Sequence, residues 1–218
     1  MAPRPSGSSF RKLAAPREPD PVLTRIERRP ERRLYSPGPL RLIISGGPGS
    51  GKTSLINALA VQGETCHPEV SRQLIREQAE SRGTALPWGD LEAFVLECSR
   101  RMLNQLNAPA RGRRVFFDRG VPDLIGYLRR ADRPVPETLV KSAAHYTPLV
   151  FIAPAWREIY VNDSERPQSY PEADALGGTI RRAYGELGFE IVDLARESVA
   201  ARVAQVRAAL DERAAQLV

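Results

Sequence analysis

Eight consecutive residues carry the clearest chemical signal in the chain: Gly46-Gly47-Pro48-Gly49-Ser50-Gly51-Lys52-Thr53, followed by Ser54. Their types and spacing match G-x-x-x-x-G-K-[ST]. Glycines at these positions permit the positive φ angles by which successive backbone N–H groups turn inward and form a nest for an anion. Lys52 adds a point charge, and the Thr53 hydroxyl is of the type that ligates Mg²⁺ beside a phosphate chain. Lys52 also stands out by composition, because only three of the 32 basic residues are lysines. The chemistry implied is capture of a nucleotide triphosphate, with ATP and Mg²⁺ as the expected ligands. The N-K-x-D guanine signature is missing, which favours ATP over GTP.

Asp118 is the second candidate. It directly follows Val115-Phe116-Phe117, where a carboxylate would hold the metal together with Thr53. ATPases that activate water commonly place a second acid beside such an aspartate; here the neighbour is Arg119. A substrate hydroxyl is therefore the more reasonable phosphoryl acceptor. Arg119 could bind the transferred phosphoryl or another anionic group, or pair with Asp123.

These residues need a scaffold that brings them to one edge. Leu40–Ser45 is a short apolar run ending at Gly46, as in a buried strand. Lys52–Val61 has helical spacing, so the loop would sit at a helix N-terminus, whose dipole favours anions. Further strands are expected near Glu64–Pro68, Val115–Phe117, Leu149–Ile152 and Phe189–Leu194. Helices are expected over Ser71–Ser81 (Leu74, Ile75 and Ala79 inward), from Asp90 to Pro109, and over Pro122–Arg130, Pro136–Tyr146 and Glu172–Leu187. A last helix starts after Ser198, with Val199, Val203, Val206 and Leu210 on its core face. Pro154 to about Tyr170 reads as a polar, mobile excursion. Strands alternating with helices imply an α/β fold with a parallel sheet covered on both faces. Ligands of such sheets bind at the strand C-terminal edge.

Residues 1–36 read as a disordered basic tail rich in proline and arginine, and 37–218 as one domain. Residues 1–40 hold nine basic against four acidic side chains, the remainder 23 against 22, so the net charge of +6 belongs to the tail. Nucleic acid is thus an unexpected partner of the domain. No apolar run reaches the length of a membrane span, no secretory h-region opens the chain, and the two cysteines, Cys66 and Cys98, form no disulfide framework. A cytoplasmic setting is expected. The oligomeric state is not legible, and His67 and His145 carry no metal or catalytic spacing. Trp156, after the fourth strand, could line the binding edge.

Several segments together carry a family resemblance over roughly residues 40–210. They are Phe117-Asp118-Arg119-Gly120 with Asp123, Pro68-Glu69-Val70-Ser71-Arg72, Tyr160-Val161-Asn162-Asp163-Ser164-Glu165-Arg166, and Tyr184-Gly185-Glu186-Leu187-Gly188-Phe189. The pattern resembles a family of AAA-type P-loop ATPases that includes the ribosylnicotinamide kinase domain of NadR and is related to nucleoside and nucleotide kinases. The resemblance implies a three-layer α/β/α P-loop NTPase fold with a five-stranded sheet in the order 2-3-1-4-5. It also implies that Glu69 binds or deprotonates an acceptor hydroxyl, that Arg72 and Asp123 reach the same pocket, and that Arg166, or else Arg157, is a lid arginine over the γ-phosphate. The proline frequent in the family after the fifth strand is replaced by Asp193-Leu194-Ala195-Arg196. The activity implied is a nucleoside-like small-molecule kinase. Two other readings stay open: a nucleotide-dependent ATPase or GTPase switch with no small-molecule acceptor, and a nucleic-acid- or membrane-surface protein working through its basic tail.

Overall fold

Alternation along the strands builds two cores at once. In β1 (Leu40–Gly46), Leu42 and Ile44 face one side and Ile43 the other, and all three are fully buried. The same period of two recurs in β3 (Arg114–Asp118) and β4 (Leu149–Ala153): Phe116, Leu149 and Phe151 join Leu42 and Ile44, while Val115, Phe117, Val150 and Ile152 join Ile43. A sheet buried on both faces must be covered on both. The computed structural model, which describes residues 38–161 and 168–215, shows how this is done.

Helices α1 (Lys52–Val61) and α7 (Val199–Ala215) cover the Leu42/Phe116/Phe151 face through Leu55, Leu59, Val203 and Val206. The opposite face is covered by α2 (Val70–Ser81), α3 (Leu91–Asn107), α4 (Val121–Arg130), α5 (Glu137–Ala143) and α6 (Tyr170–Glu186). With β2 (Thr65–His67) and β5 (Glu190–Asp193), the sheet is five-stranded and parallel throughout, in the order β2-β3-β1-β4-β5. This is the three-layer architecture and strand order that the resemblance implies. The order places β1 between β3 and β4, so Gly46, Asp118 and Ala153 emerge side by side at the C-terminal edge.

Some expectations shift. Helix α6 begins at Tyr170, ahead of the expected Glu172, because Glu172 accepts hydrogen bonds from both the amide and the hydroxyl of Ser169 (2.8 Å each) and so caps the helix earlier. Ala79, expected inward on α2, is exposed; Val70 and Ser71 fill the inner face instead, beside Leu74 and Ile75. The fifth helix stops at Ala143, before Tyr146. In the described part of the excursion after β4, Arg157–Ile159 forms a 3-10 turn. The tail expected over residues 1–36 and the lid residue Arg166 lie outside the described residues. Among the described residues, no helix is long and apolar enough to cross a membrane.

Candidate functional site: a phosphate loop and an acid–arginine cluster on one cavity

The loop leaving β1 is shaped by steric demands before any ligand is considered. Gly46 has φ +131°, and a Cβ there would lie 2.1 Å from the Ala153 carbonyl oxygen of the neighbouring strand. A Cβ on Gly47 would lie 2.6 Å from the carbonyl of Ala173 in α6. These two glycines let the loop pass between β4 and α6, and neither lines the cavity. Gly49 (φ 72°) and Gly51 (φ 81°) supply the left-handed turns of a nest. Gly51 is the N-cap of α1, and no side chain caps it. The first amides of the helix are thus left for an anion.

Lys52 is 4% exposed. Its Nζ donates to the Gly47 carbonyl (2.7 Å) and the Ser50 hydroxyl (3.1 Å), and Ser50 Oγ donates to the same carbonyl at 2.9 Å. The ammonium is therefore held inside the loop that it serves. Burial, reinforced by the Arg119 charge, brings its pKa down to about 8, against the opposing pull of Asp118, Glu69 and Asp123.

Thr53 Oγ1 donates to Asp118 Oδ2 at 2.8 Å. The other oxygen, Asp118 Oδ1, is buried without a hydrogen-bond partner among the described residues. Burial and the Glu69 charge push this carboxyl up to about 6, with Lys52 and Arg119 opposing. An orphaned carboxylate oxygen beside a threonine hydroxyl, next to a phosphate nest, is a donor set of the kind Mg²⁺ uses with only one or two protein ligands. Among the described residues, no cluster of three or more His, Cys, Asp or Glu could hold a metal alone. Phosphate oxygens would have to complete the shell.

Arg119 follows Asp118 in the left-handed region, φ 73°. For a residue that is not glycine this is a strained conformation of the kind found at functional sites. The turn brings the guanidinium back under the loop, where it is 3% exposed. Nε donates to Glu69 Oε1 (2.7 Å), and Nη1 donates to Asp123 Oδ1 and the Gly46 carbonyl (2.9 Å each). Glu69 also accepts from Ser71 Oγ at 2.8 Å. Burial alone would raise the Glu69 pKa, but the charges of Arg119 and Lys52 and these hydrogen bonds hold it at about 2.

Asp123, expected to reach the substrate pocket, is fully buried and does not line the cavity. Its oxygens are used internally: Oδ1 accepts from Ser45 Oγ and Arg119, and Oδ2 accepts from the Gly120 amide (3.1 Å) and the Tyr184 hydroxyl (2.6 Å). It anchors Arg119 from behind.

One cavity of about 470 Å³ brings together the loop from Pro48 onward with Glu69, Arg72 and Arg119; Asp118, bonded to Thr53, does not line it. Pro48–Ser54 form its floor. Glu69, Arg72, Ile75, Pro87, Arg119 and Tyr127 form one wall. Trp156, Ile159, Gln168, Glu197–Val199 and Arg202 form the other. Arg157 is exposed, with its guanidinium 5.5 Å from the centre of the Tyr170 ring, and does not line the cavity. Tyr127 and Arg202 had not been singled out from the sequence. Arg202 had a legible signal: it lies four residues before Val206 on the apolar stripe of α7, where a charged residue is anomalous; Val199, expected on that core face, is exposed.

Comparisons with known proteins agree with this architecture. The NadR protein in complex with NR superposes with TM-score 0.61 at 18% identity, over 80% of this chain and 51% of that one, so the chain spans about half the length of NadR. Deoxyadenosine kinase from M. mycoides gives TM-score 0.56 at 12% identity, over 79% of this chain and 99% of that one. Shikimate kinase from Acinetobacter baumannii gives 0.51 at 16% identity, over 84% and 97%. At these identities the likeness is one of fold, and the fold is that of P-loop kinases. No curated protein matches the sequence. A family model described as AAA domain matches residues 41–202, from the first strand through to Arg202, and the chain belongs to that family of P-loop nucleotide-binding domains.

Proposed function

We propose that the protein is a small-molecule kinase that transfers the γ-phosphoryl group of Mg·ATP to a hydroxyl of a nucleoside-like acceptor. The observation that carries this reading is that the phosphate loop and the Glu69/Arg72/Arg119 wall line the same cavity. A phosphoryl donor and an alcohol could meet there without a bulk-water layer between them.

Each residue then has a role. The amides from Gly49 to Ser54 and the Lys52 ammonium bind the phosphate chain and offset its charge. Thr53 and Asp118 would hold Mg²⁺, which supplies charge neutralisation across the phosphates when bound. Glu69 accepts a hydrogen bond from the acceptor hydroxyl. With its pKa near 2 it is a weak base, so its work is orientation, and full proton removal is not required early in a loose phosphoryl-transfer transition state. Arg119 locks that carboxylate in place and brings positive charge near the transferring group. Arg72 lines the acceptor wall, and Arg166 is retained as the lid arginine of this proposal. The catalytic effect is mainly proximity and preorganised charge.

A screen of nucleosides and small alcohols with labelled ATP tests the reading. Label should appear on one acceptor class, and Glu69→Gln should lower kcat with little change in KM for ATP. Steady phosphate release with no labelled acceptor would replace this reading with that of a nucleotide switch.

A further inference from the structure

Arg202 lies in the first turn of α7, yet it is 2% exposed and reaches away from its own helix. Its Nη1 donates to the Ser50 carbonyl at 2.7 Å and its Nε donates to the Ala195 carbonyl at 2.8 Å. Its guanidinium stands 4.9 Å from the centre of the Trp156 ring. Among the described residues, Nη2 is buried without a hydrogen-bond partner. One side chain thus joins three separate segments: the phosphate loop, the β5–α7 connection and the segment after β4. A buried guanidinium with an unsatisfied nitrogen is costly to keep for packing alone. An aliphatic residue would fill the same stripe of α7 without that cost.

We propose that Arg202 is a positioning residue for phosphate binding, holding the Ser50–Gly51 peptide so that the Gly51 amide faces the nest. The argument is geometric. In a trans peptide the C=O and the following N–H point in opposite directions. Anchoring the Ser50 carbonyl on Arg202 therefore directs the Gly51 N–H to the side of the peptide away from Arg202. Arg202 also stands against Gly51 itself: a Cβ on Gly51 would lie 3.1 Å from Arg202 Nη1. Gly51 has φ 81° and no side chain to restrain it, so an external restraint is what the loop lacks. The Ala195 bond and the Trp156 ring hold the guanidinium fixed. Only a planar fork can serve two carbonyls and a ring face together; a lysine has the charge without the fork.

The inference rests on the nucleotide-binding reading above, and the experiment separates the two. Full-length wild type, Arg202→Lys and Arg202→Ala are titrated calorimetrically with Mg·ATP and with Mg·tripolyphosphate, after thermal unfolding has measured the folded fraction of each. Both substitutions should weaken both ligands by the same factor, about tenfold or more for a lost charge-assisted hydrogen bond. Millimolar guanidinium should recover much of the loss in Arg202→Ala but not in Arg202→Lys, an effect a merely structural role would not show. Unchanged affinity of the folded variants overturns the inference. A loss confined to ATP also overturns it, because it would place the action of Arg202 on the base side. So does failure of both variants to fold, which would make the residue part of the core. Wild type that binds neither ligand rejects the nucleotide reading itself.

Discussion

At the scale of single residues, the site is a set of charges arranged so that each restrains another. Lys52 is confined by Gly47 and Ser50, Arg119 by Glu69 and Asp123, and Asp118 by Thr53 on one oxygen only. Lys52→Ala removes the ammonium at the centre of the nest, and calorimetry should show Mg·ATP affinity falling by about tenfold to a hundredfold. Glu69 makes a pH prediction. Its folded pKa of about 2 lies below its ordinary value of 4.5, so the ionised group stabilises the folded state above pH 4.5. That contribution is lost as the pH falls from 4.5 through about 2. Urea midpoints measured from pH 7 down to pH 2 should therefore fall less steeply in Glu69→Gln than in wild type. Equal slopes would mean that the Arg119 pairing does not restrain Glu69 in solution. The loop, Lys52, Thr53 and Asp118 were legible from types and spacing, since each is tied to a local chain segment. The burial of Asp123 was not legible, because it depends on Ser45 of β1 and Tyr184 of α6 closing on it together with Arg119 from the β3–α4 connection.

At the scale of elements, α6 and the phosphate loop share a close approach. Gly47 abuts Ala173 and Gly177, and further along α6 the backbone of Ile180 packs on Gly126 of α4. A Cβ at Gly126 would lie 2.6 Å from Ile180 Cγ1 and 3.0 Å from its Cα. Gly126→Ala should therefore push α4 from α6 and destabilise the fold by about 1–3 kcal/mol, although alanine is the better helix former. Denaturant unfolding checks this; a stabilised variant would show that helix propensity outweighs the close approach. The elements themselves were largely readable. Strands alternate with a period of two or run apolar, and α1 and α3 carry clear helical stripes. Helix α6 starts ahead of the expected Glu172 because Ser169 and Glu172 form a capping pair.

At the scale of the whole molecule, the cavity is where two independently packed layers meet. The α1/α7 layer supplies the loop's helix and Arg202, and the α2–α6 layer supplies Glu69 and Arg119. A ligand bridging both layers should raise global stability. At a hundredfold excess over its Kd, Mg·ATP should add about 2.7 kcal/mol and raise the Tm by roughly 5–10 °C for a domain of this size. A Tm that ignores Mg·ATP would contradict binding at the loop.

The sequence alone marked out the Gly46–Thr53 loop, Asp118 at the end of its strand and, through the family resemblance, the sheet order. These are properties of contiguous segments or of alternation along them, so local sterics and periodicity specify them. Tertiary structure alone decided that Glu69 is held ionised by Arg119, that Asp123 lies behind the cavity, and that Arg202 crosses from α7 to the loop. Those outcomes depend on burial and on charges brought together over 50 to 152 residues of chain, and neither quantity exists until the layers have packed.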